Sequence, residues 1–258
     1  HIAGQDRLNL FGPQALSNIA WAFDTAGVSH PVLFKKIGDL VSELGSLDSF
    51  KPQNLSNTAW AFATAGELHT KLFNKIGDHV TGLDSLNSFE QQSLSNIAWA
   101  FAAAGESNPG LFKKIGGHVA GLMSLDSFDP QALSNTAWAF ATAGVSYPAM
   151  FEKIGGHVAG LGSLDSFKAQ ALTNIAWSFA TAGESNSKLF KKIGDYIAGL
   201  TCLDSFKPQN LSNTAWAFAS AGVSHLALFN MIGHHVAGLG SLDSFKAQAL
   251  SNTAWSFA

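Results

Sequence analysis

The sequence predicts an all-α fold, a right-handed α-α solenoid of 39-residue two-helix repeats. The first observation is a set of seven tryptophans separated by 39 residues at every step: Trp21, Trp60, Trp99, Trp138, Trp177, Trp216 and Trp255. The second is that the segment around each Trp recurs almost unchanged, as in Phe50-Lys-Pro-Gln-Asn-Leu-Ser-Asn-Thr-Ala-Trp-Ala-Phe-Ala-Thr-Ala-Gly66. A fixed period of about 20 to 50 residues is typical of stacked arrays, in which each unit packs on its neighbours.

The first helix of each repeat, helix A, is predicted over residues 52–65 and their equivalents. Pro52 suits a first helical turn, where its missing N–H would have no intrahelical partner. One apolar stripe follows at i, i+4 and i+7 and consists of Leu55, Ala59 and Phe62. Gly66 recurs in the other repeats and is typical of a left-handed residue that ends a helix.

The second helix, helix B, is predicted over residues 70–83. Its recurring apolar positions have helical spacing and are Leu72, Phe73, Ile76, Val80 and Leu83. Gly77 lies in the middle of this helix and recurs in every repeat, although an interior Gly costs about 1 kcal/mol relative to Ala. This recurrence predicts a position where neighbouring helices approach closely.

The period divides the chain into a single repeat array over residues 1–258. The predicted units are a partial repeat 1–11, full repeats 12–50, 51–89, 90–128, 129–167, 168–206 and 207–245, and a partial repeat 246–258. The first residues, His1-Ile-Ala-Gly4, align with a helix B, and the last residues align with a helix A. We therefore interpret the chain as an excerpt from a longer array.

Composition restricts the class of partner. Charged residues make up 13% of the chain and the net charge is −3, so there is no overall basic surface that would capture nucleic acid by charge alone. Cys202 stands where the other repeats have serine, and no disulfide framework is expected. No apolar run reaches the roughly 18 residues needed to cross a bilayer. We expect neither a cofactor nor a membrane span.

Helix A carries amides on the side opposite its apolar stripe, and stacked repeats would align them in a ladder edged by the tryptophans. The predicted ladder positions are Gln53, Asn57, Asn96, Asn135, Asn174 and Asn213. Amides can pair with the edges of unpaired bases, and aromatic rings can stack on base faces. A structural role is the alternative, because Asn ladders bond across repeats and Trp beside Ala fills seams between repeats.

A second stripe of helix A changes from repeat to repeat and lies at i, i+4 and i+7. Small side chains that vary in this way are what a reader of one base per repeat requires. The predicted base-reading residues are Asn54, Thr58, Ser93, Ile97, Thr136, Ile175, Ser178, Asn210 and Thr214. Neutral drift at a tolerant seam between helices would produce the same pattern.

Lysines cluster near the start of helix B and are predicted to attract phosphates. They are Lys35, Lys36, Lys75, Lys113, Lys114, Lys153, Lys191 and Lys192. Such a run forms phosphate contacts if this edge faces a strand of nucleic acid. A solvated charged face is the alternative.

Recurring histidines on helix B do not predict a metal site. His79, His118 and His157 belong to different repeats and would lie about 8–10 Å apart, whereas zinc needs its ligand nitrogens at about 2.0–2.1 Å. Ser and Asp also occur in every full repeat and His in five of the six, while a catalytic constellation should be unique. We expect no metal, no catalytic residue and no enzymatic activity.

The repeated segment resembles the octotricopeptide-type repeats of algal organelle proteins and the related repeats beside RAP domains and in FAST-kinase-like proteins. The resemblance covers nearly the whole chain and depends on Leu55, Asn57, Trp60, Ala61 and Gly66. Two features depart from that family, namely the period of 39 where 38 is typical, and the slightly acidic net charge. The resemblance implies an α-solenoid that binds organellar RNA through helix A and controls its maturation, stability or translation, in a chloroplast or mitochondrion.

We therefore expect a modular binder of single-stranded RNA in which roughly one nucleotide meets each repeat. A protein-interaction scaffold is the rival interpretation, because the low charge and many exposed apolar groups suit peptide or subunit binding. Salt separates the two, since neutralising phosphates makes affinity fall steeply with salt.

Overall fold

The computed structural model describes residues 8–257, and every regular element in that range is helical. A 3-10 turn at Leu8–Leu10 precedes thirteen α-helices that alternate between helix A and helix B. The A helices are α1 (Pro13–Thr25), α3 (Pro52–Thr64), α5 (Gln91–Ala103), α7 (Pro130–Thr142), α9 (Ala169–Thr181), α11 (Pro208–Ser220) and α13 (Ala247–Ser256). The B helices are α2 (Pro31–Glu43), α4 (Thr70–Gly82), α6 (Pro109–Gly121), α8 (Pro148–Gly160), α10 (Ser187–Ala198) and α12 (Leu226–Ala237). The helix B segment predicted at His1-Ile-Ala-Gly4 lies outside the described residues.

The helices group into two compact units, which meet in the sequence between Gly121 and Leu122. In the first unit, α3 packs between α1 and α5, and α4 packs between α2 and α6. In the second unit, α9 packs between α7 and α11, α11 also packs on α13, and α10 packs between α8 and α12. Each unit thus has one layer of A helices and one layer of B helices. This arrangement confirms the predicted all-α solenoid class. The bounds of α3 and α4 agree with the prediction to within one residue, whereas α10 and α12 end two residues before the equivalent predicted positions. None of the described helices has the length and apolar character needed to cross a membrane.

Within each of the two units, phenylalanines join a B helix to the A helix that follows it. The ring centroids of Phe34 and Phe62 are 5.0 Å apart with the planes at 72°, and those of Phe190 and Phe218 are 5.1 Å apart at 88°. All four side chains are fully buried. Edge-to-face pairs of this kind contribute about 0.5–1.5 kcal/mol beyond the burial of their area. The same pair recurs within both units, so it sets the position of each A helix on the preceding B helix.

Each complete A helix ends in the predicted left-handed glycine. Gly66 has φ +69°, the N–H of Glu67 donates to the carbonyl of Phe62 at 2.9 Å, and the N–H of Gly66 donates to the carbonyl of Ala63 at 3.3 Å. These two bonds form a Schellman motif, which only a residue without a Cβ enters at no steric cost. The repeated turn directs the chain from the A layer into the B layer.

The predicted close approach at the interior glycine of helix B is also confirmed. A Cβ on Gly77 would lie 2.2 Å from the amide nitrogen of Asn108 and 3.3 Å from the ring of Phe101. The approaching group is thus a side chain at the start of the next B helix, together with a ring of the next A helix. Asn108 is held there because its Oδ1 accepts a hydrogen bond from the Leu111 N–H at 2.9 Å and so caps α6.

Candidate nucleic-acid interface

Burial separates the two sides of helix A as the helical wheel predicts. In α3, Leu55 and Phe62 are buried, Gln53 is exposed, and Asn57 and Trp60 are half-buried. Since α1, α3 and α5 pack side by side in the first unit, their Gln, Asn and Trp residues recur along one surface. The A helices of the second unit repeat the arrangement. We call this surface the amide-and-indole ladder.

Tryptophans of the ladder form a stacked aromatic surface in the first unit. The ring centroids of Trp60 and Trp99 are 4.1 Å apart with 28° between the planes, and both side chains are half-buried. Trp21 on α1 is 47% exposed, and Trp255 on α13, in the second unit, is 56% exposed. An indole that keeps an accessible face next to another indole provides a platform on which a further planar group can stack.

Asparagines of the ladder are partly accessible. Asn57, Asn96, Asn174 and Asn213 are half-buried, whereas Asn135 is buried with 7% of its surface exposed. The Nδ2 of Asn135 has no hydrogen-bond partner among the described residues. An amide left unpaired in a buried position costs about 1–3 kcal/mol, so this donor is poorly explained by the stability of the fold alone.

The stripe predicted to read bases does not lie on the ladder surface. Eight of the nine side chains are buried, namely Asn54, Thr58, Ser93, Ile97, Thr136, Ile175, Ser178 and Thr214, and Asn210 is half-buried. They lie in the seam where one A helix packs on the next. The Ser56 hydroxyl, for example, is 3.4 Å from the Ser93 hydroxyl in the first unit, and the Thr173 and Thr214 hydroxyls are 3.1 Å apart in the second.

Polar groups of this seam already have partners within the protein. Asn54 accepts from the Lys51 N–H at 3.1 Å and donates to the Ser17 hydroxyl at 3.3 Å, while the Thr58 hydroxyl donates to the Asn54 carbonyl at 2.8 Å. Asn210 likewise accepts from the Lys207 N–H at 3.0 Å. Burial therefore argues against base reading by these eight residues, because a buried side chain presents no surface to a base. The alternative of a tolerant seam describes their positions.

Most of the lysines predicted to attract phosphates contact the protein itself. In four repeats a helix B lysine donates to a backbone carbonyl of the preceding connector; the pairs are Lys75 with Gly45, Lys114 with Leu83, Lys153 with Met123, and Lys192 with Gly162. Lys36 also interacts within the chain. Lys35 pairs with Asp39 and Lys191 with Asp195, four residues further along their helices, while Lys113 is exposed. Most helix B lysines thus bind backbone carbonyls of the connectors or neighbouring carboxylates of the protein itself.

Histidines of helix B lie beside carboxylates of the preceding connector. The Nδ1 of His79 is 3.8 Å from an oxygen of Asp48, and the same distance separates His157 from Asp126. Burial lowers the pKa of His118, which has Asn87 in the equivalent connector position. Each carboxylate faces one histidine, and no group of three or more potential metal ligands occurs in residues 8–257.

A row of lysines on the A side was missed among the predicted site residues. Lys168, Lys207 and Lys246 occupy the N-cap positions of α9, α11 and α13 and are exposed. The signal that could have found them is their recurrence at 39 residues in three successive repeats. Helix-wheel analysis omits them because an N-cap residue lies just outside the helix.

Comparison with known protein families gives a match over nearly the whole chain. The family model of the RNA-editing substrate-binding complex 6 protein matches residues 9–258 and so includes all thirteen described α-helices. That protein is named as part of an RNA-editing substrate-binding complex. A search of curated proteins gave no match.

Proposed function

Because the chain belongs to the family of the RNA-editing substrate-binding complex 6 protein, we propose that it binds RNA through the amide-and-indole ladder. The observation that carries the proposal is the stacked pair of Trp60 and Trp99 beside the half-buried amides of Asn57 and Asn96. Indoles offer faces on which bases stack, and amides offer both a donor and an acceptor to base edges. Eight of the nine residues predicted to read bases are, by contrast, buried in the seam.

We propose single-stranded RNA as the ligand. The edges and faces of bases become accessible to Asn and Trp only when the bases are unpaired and unstacked, whereas a duplex offers mainly phosphates and 2′-hydroxyls. The ladder repeats once per 39 residues, which supports about one nucleotide per repeat. Because Gln, Asn and Trp are the same in every repeat while eight of the nine predicted base-reading residues are buried, the expected discrimination among bases is weak.

The wider biological setting is part of the same proposal. Resemblance to octotricopeptide-type repeats supports an organellar RNA as target and a role in its maturation, stability or translation. The family match supports a place in the recognition of RNA-editing substrates. We further propose that this chain binds RNA, leaves the chemistry to other proteins and has no enzymatic activity of its own.

Protein binding is a second candidate function, and exposed apolar residues favour it. Leu68 is 67% exposed and Leu226 is 74% exposed, and both lie at the links between an A helix and the following B helix. These links are separate from the ladder along the chain. A scaffold role there is compatible with RNA binding on the A side.

Fluorescence anisotropy with a labelled random single-stranded RNA and with an RNA duplex tests the proposal. We expect the single strand to bind more tightly than the duplex, and the double variant Asn57→Ala/Trp60→Ala to weaken binding of the single strand. A matched control is Asn54→Ala/Thr58→Ile, which changes the seam of the same helix and should leave affinity unchanged. Equal loss in both variants, or no binding of RNA by the wild type, would contradict the proposal.

A further inference from the structure

We propose that the phosphates of the RNA bind three lysines of the second unit, Lys168, Lys207 and Lys246, which we call the N-cap lysine row. The strand would then cross the N-terminal ends of α9, α11 and α13. This inference rests on the proposed function, and it adds the residues that bind the phosphates of the RNA.

The three lysines are presented in the same way. Each is the N-cap residue of its helix in an extended conformation, with φ of −69°, −65° and −65° and ψ of 155°, 156° and 154°. Each follows a phenylalanine that is only 6% exposed, which anchors the backbone just before the lysine. Because α9, α11 and α13 pack in succession, the three side chains leave one edge of the A layer at intervals of about 8–10 Å.

Helix stability does not explain lysine at these positions. A cation at a helix N-terminus opposes the macrodipole, and lysine lacks the side-chain oxygen that normally caps the first N–H groups. The equivalent residue of α7 in the same unit is Asp129, whose carboxylate accepts from the Ala132 N–H at 2.6 Å. In the second unit an aspartate thus caps the first A helix, α7, and lysine takes its position in the next three A helices.

The ammonium groups of the N-cap lysine row are exposed and available to bind a ligand. All three lysines are exposed, and none of them forms a salt bridge with a residue in the range 8–257. Helix B offers the contrast, because Lys35 and Lys191 are paired with aspartates four residues away. Phosphates would therefore gain more from the N-cap lysine row than from the helix B lysines.

The row also borders the ladder. Two residues after each lysine comes an exposed glutamine, and the ladder asparagine and tryptophan follow on the same helix; for α9 these are Gln170, Asn174 and Trp177. A strand held by its phosphates at the lysines would have its bases directed along the helices toward amides and indoles. The first unit has only Lys51 in this position, with Gly12 and Glu90 in its other two repeats. The row therefore places phosphate contacts of the strand on the last three A helices, beside the part of the ladder that these helices carry.

The experiment compares two triple variants that remove the same charge. Lys168→Gln/Lys207→Gln/Lys246→Gln removes the row, and Lys35→Gln/Lys113→Gln/Lys191→Gln removes exposed lysines of helix B. Affinity for a labelled random single-stranded RNA is measured by anisotropy from 50 to 200 mM salt, and circular dichroism checks that each variant is folded. A Lys→Arg triple variant of the row keeps the charge.

Each phosphate contact with a single strand contributes about −0.7 to the slope of log affinity against log salt. We expect the row variant to have a slope shallower by about 2, so that raising salt from 50 to 200 mM costs it roughly 20-fold less affinity than it costs the wild type. The Lys→Arg and helix B variants should keep the wild-type slope. An unchanged slope in the row variant, or an equal change in the helix B variant, would overturn this inference while leaving RNA binding by the wild type intact. Failure of the wild type to bind would instead overturn the proposed function, and this inference with it.

Discussion

The imidazole ring of His69 lies directly over Gly38, and a Cβ on that glycine would be 2.4 Å from the His69 Cδ2. The same ring accepts from the Leu72 N–H through Nδ1 at 3.2 Å and lies 3.2 Å from Asp39 through Nε2. One side chain thus caps a B helix, bonds the preceding B helix and fills the space that its glycine leaves. His225 repeats all three contacts with Leu228, Asp195 and Gly194 in the second unit.

Two adjacent glycines of α8 test this packing. A Cβ on Gly155 would lie 2.5 Å from the Asn186 amide and 3.0 Å from the Phe179 ring, whereas a Cβ on Gly156 would meet nothing within 4 Å. We expect Gly155→Ala to lower the free energy of unfolding by about 1–3 kcal/mol because of overpacking. The control Gly156→Ala should raise it by up to about 1 kcal/mol, since Ala favours helix. Denaturant unfolding measures both, and equal effects would contradict the close approach.

A single substitution in the N-cap lysine row should raise the stability of the fold and lower its affinity for RNA. Lys168→Asp would give α9 the cap that Asp129 gives α7, and both helices have alanine at the third helical position. We expect the free energy of unfolding to rise by about 1 kcal/mol and RNA binding to weaken. Thermal unfolding and anisotropy are the measurements.

Lys168→Gln is the matched control, because it removes the charge without adding a cap carboxylate. It should weaken RNA binding and leave Tm close to that of the wild type. If Lys168→Asp had the same Tm and the same RNA affinity as the wild type, both the expected helix cap and the proposed phosphate contact would be contradicted.

Acid should weaken the junctions that contain Asp39 and Asp195. The pKa of each carboxyl is lowered, first by the hydrogen bond from Lys35 or Lys191 and then by that from His69 or His225. Their folded-state pKa thus lies below the unfolded value of about 3.9, so the stability that they contribute is present above about pH 4 and is lost as pH falls through the lowered value.

The double variant Asp39→Asn/Asp195→Asn should therefore be less stable than the wild type at pH 7, and the difference should vanish in acid. We expect less than about 1 kcal/mol at pH 7, since these exposed pairs are screened by solvent. Denaturant unfolding at pH 7 and near pH 3 measures the difference. Asp78→Asn is the control. Asp78 is the equivalent of Asp39 on α4, and the next B helix is capped by Asn108 where the junctions of Asp39 and Asp195 have a histidine. A loss that persists unchanged near pH 3 would contradict the assignment.

Exchanging the seam of one repeat for that of another should not change which RNA is bound. Asn54→Ala/Thr58→Ile gives α3 the residues that α9 has at these positions, Ala171 and Ile175, which are both buried. We expect an unchanged preference in selection from a random single-stranded RNA pool, because neither position reaches the surface. A shift in preference at one nucleotide would restore the base-reading role that burial argues against.

The period and the apolar spacing were sufficient to predict the helices, since each depends on residues close together in sequence. Which face of helix A stays open could not be predicted so well. A helical wheel shows only one apolar stripe on helix A. In the structure α3 packs on four helices, α1, α2, α4 and α5, so small polar residues such as Ser56 and Thr58 are buried in the seams between helices. The contacts of the helix B lysines could not be predicted for a related reason. The carbonyl of Gly45 comes within reach of Lys75 only when the two repeats stack.

Residue-level cross-linking tests the central claim that the A helices hold the RNA. A random single-stranded RNA containing 4-thiouridine is irradiated with the folded protein, and cross-linked residues are identified by mass spectrometry. The account predicts cross-links at ladder tryptophans, and the loss of those at Trp177 and Trp216 when the N-cap lysine row is changed to glutamine. Cross-links confined to B helices, or to the apolar links at Leu68 and Leu226, would contradict it.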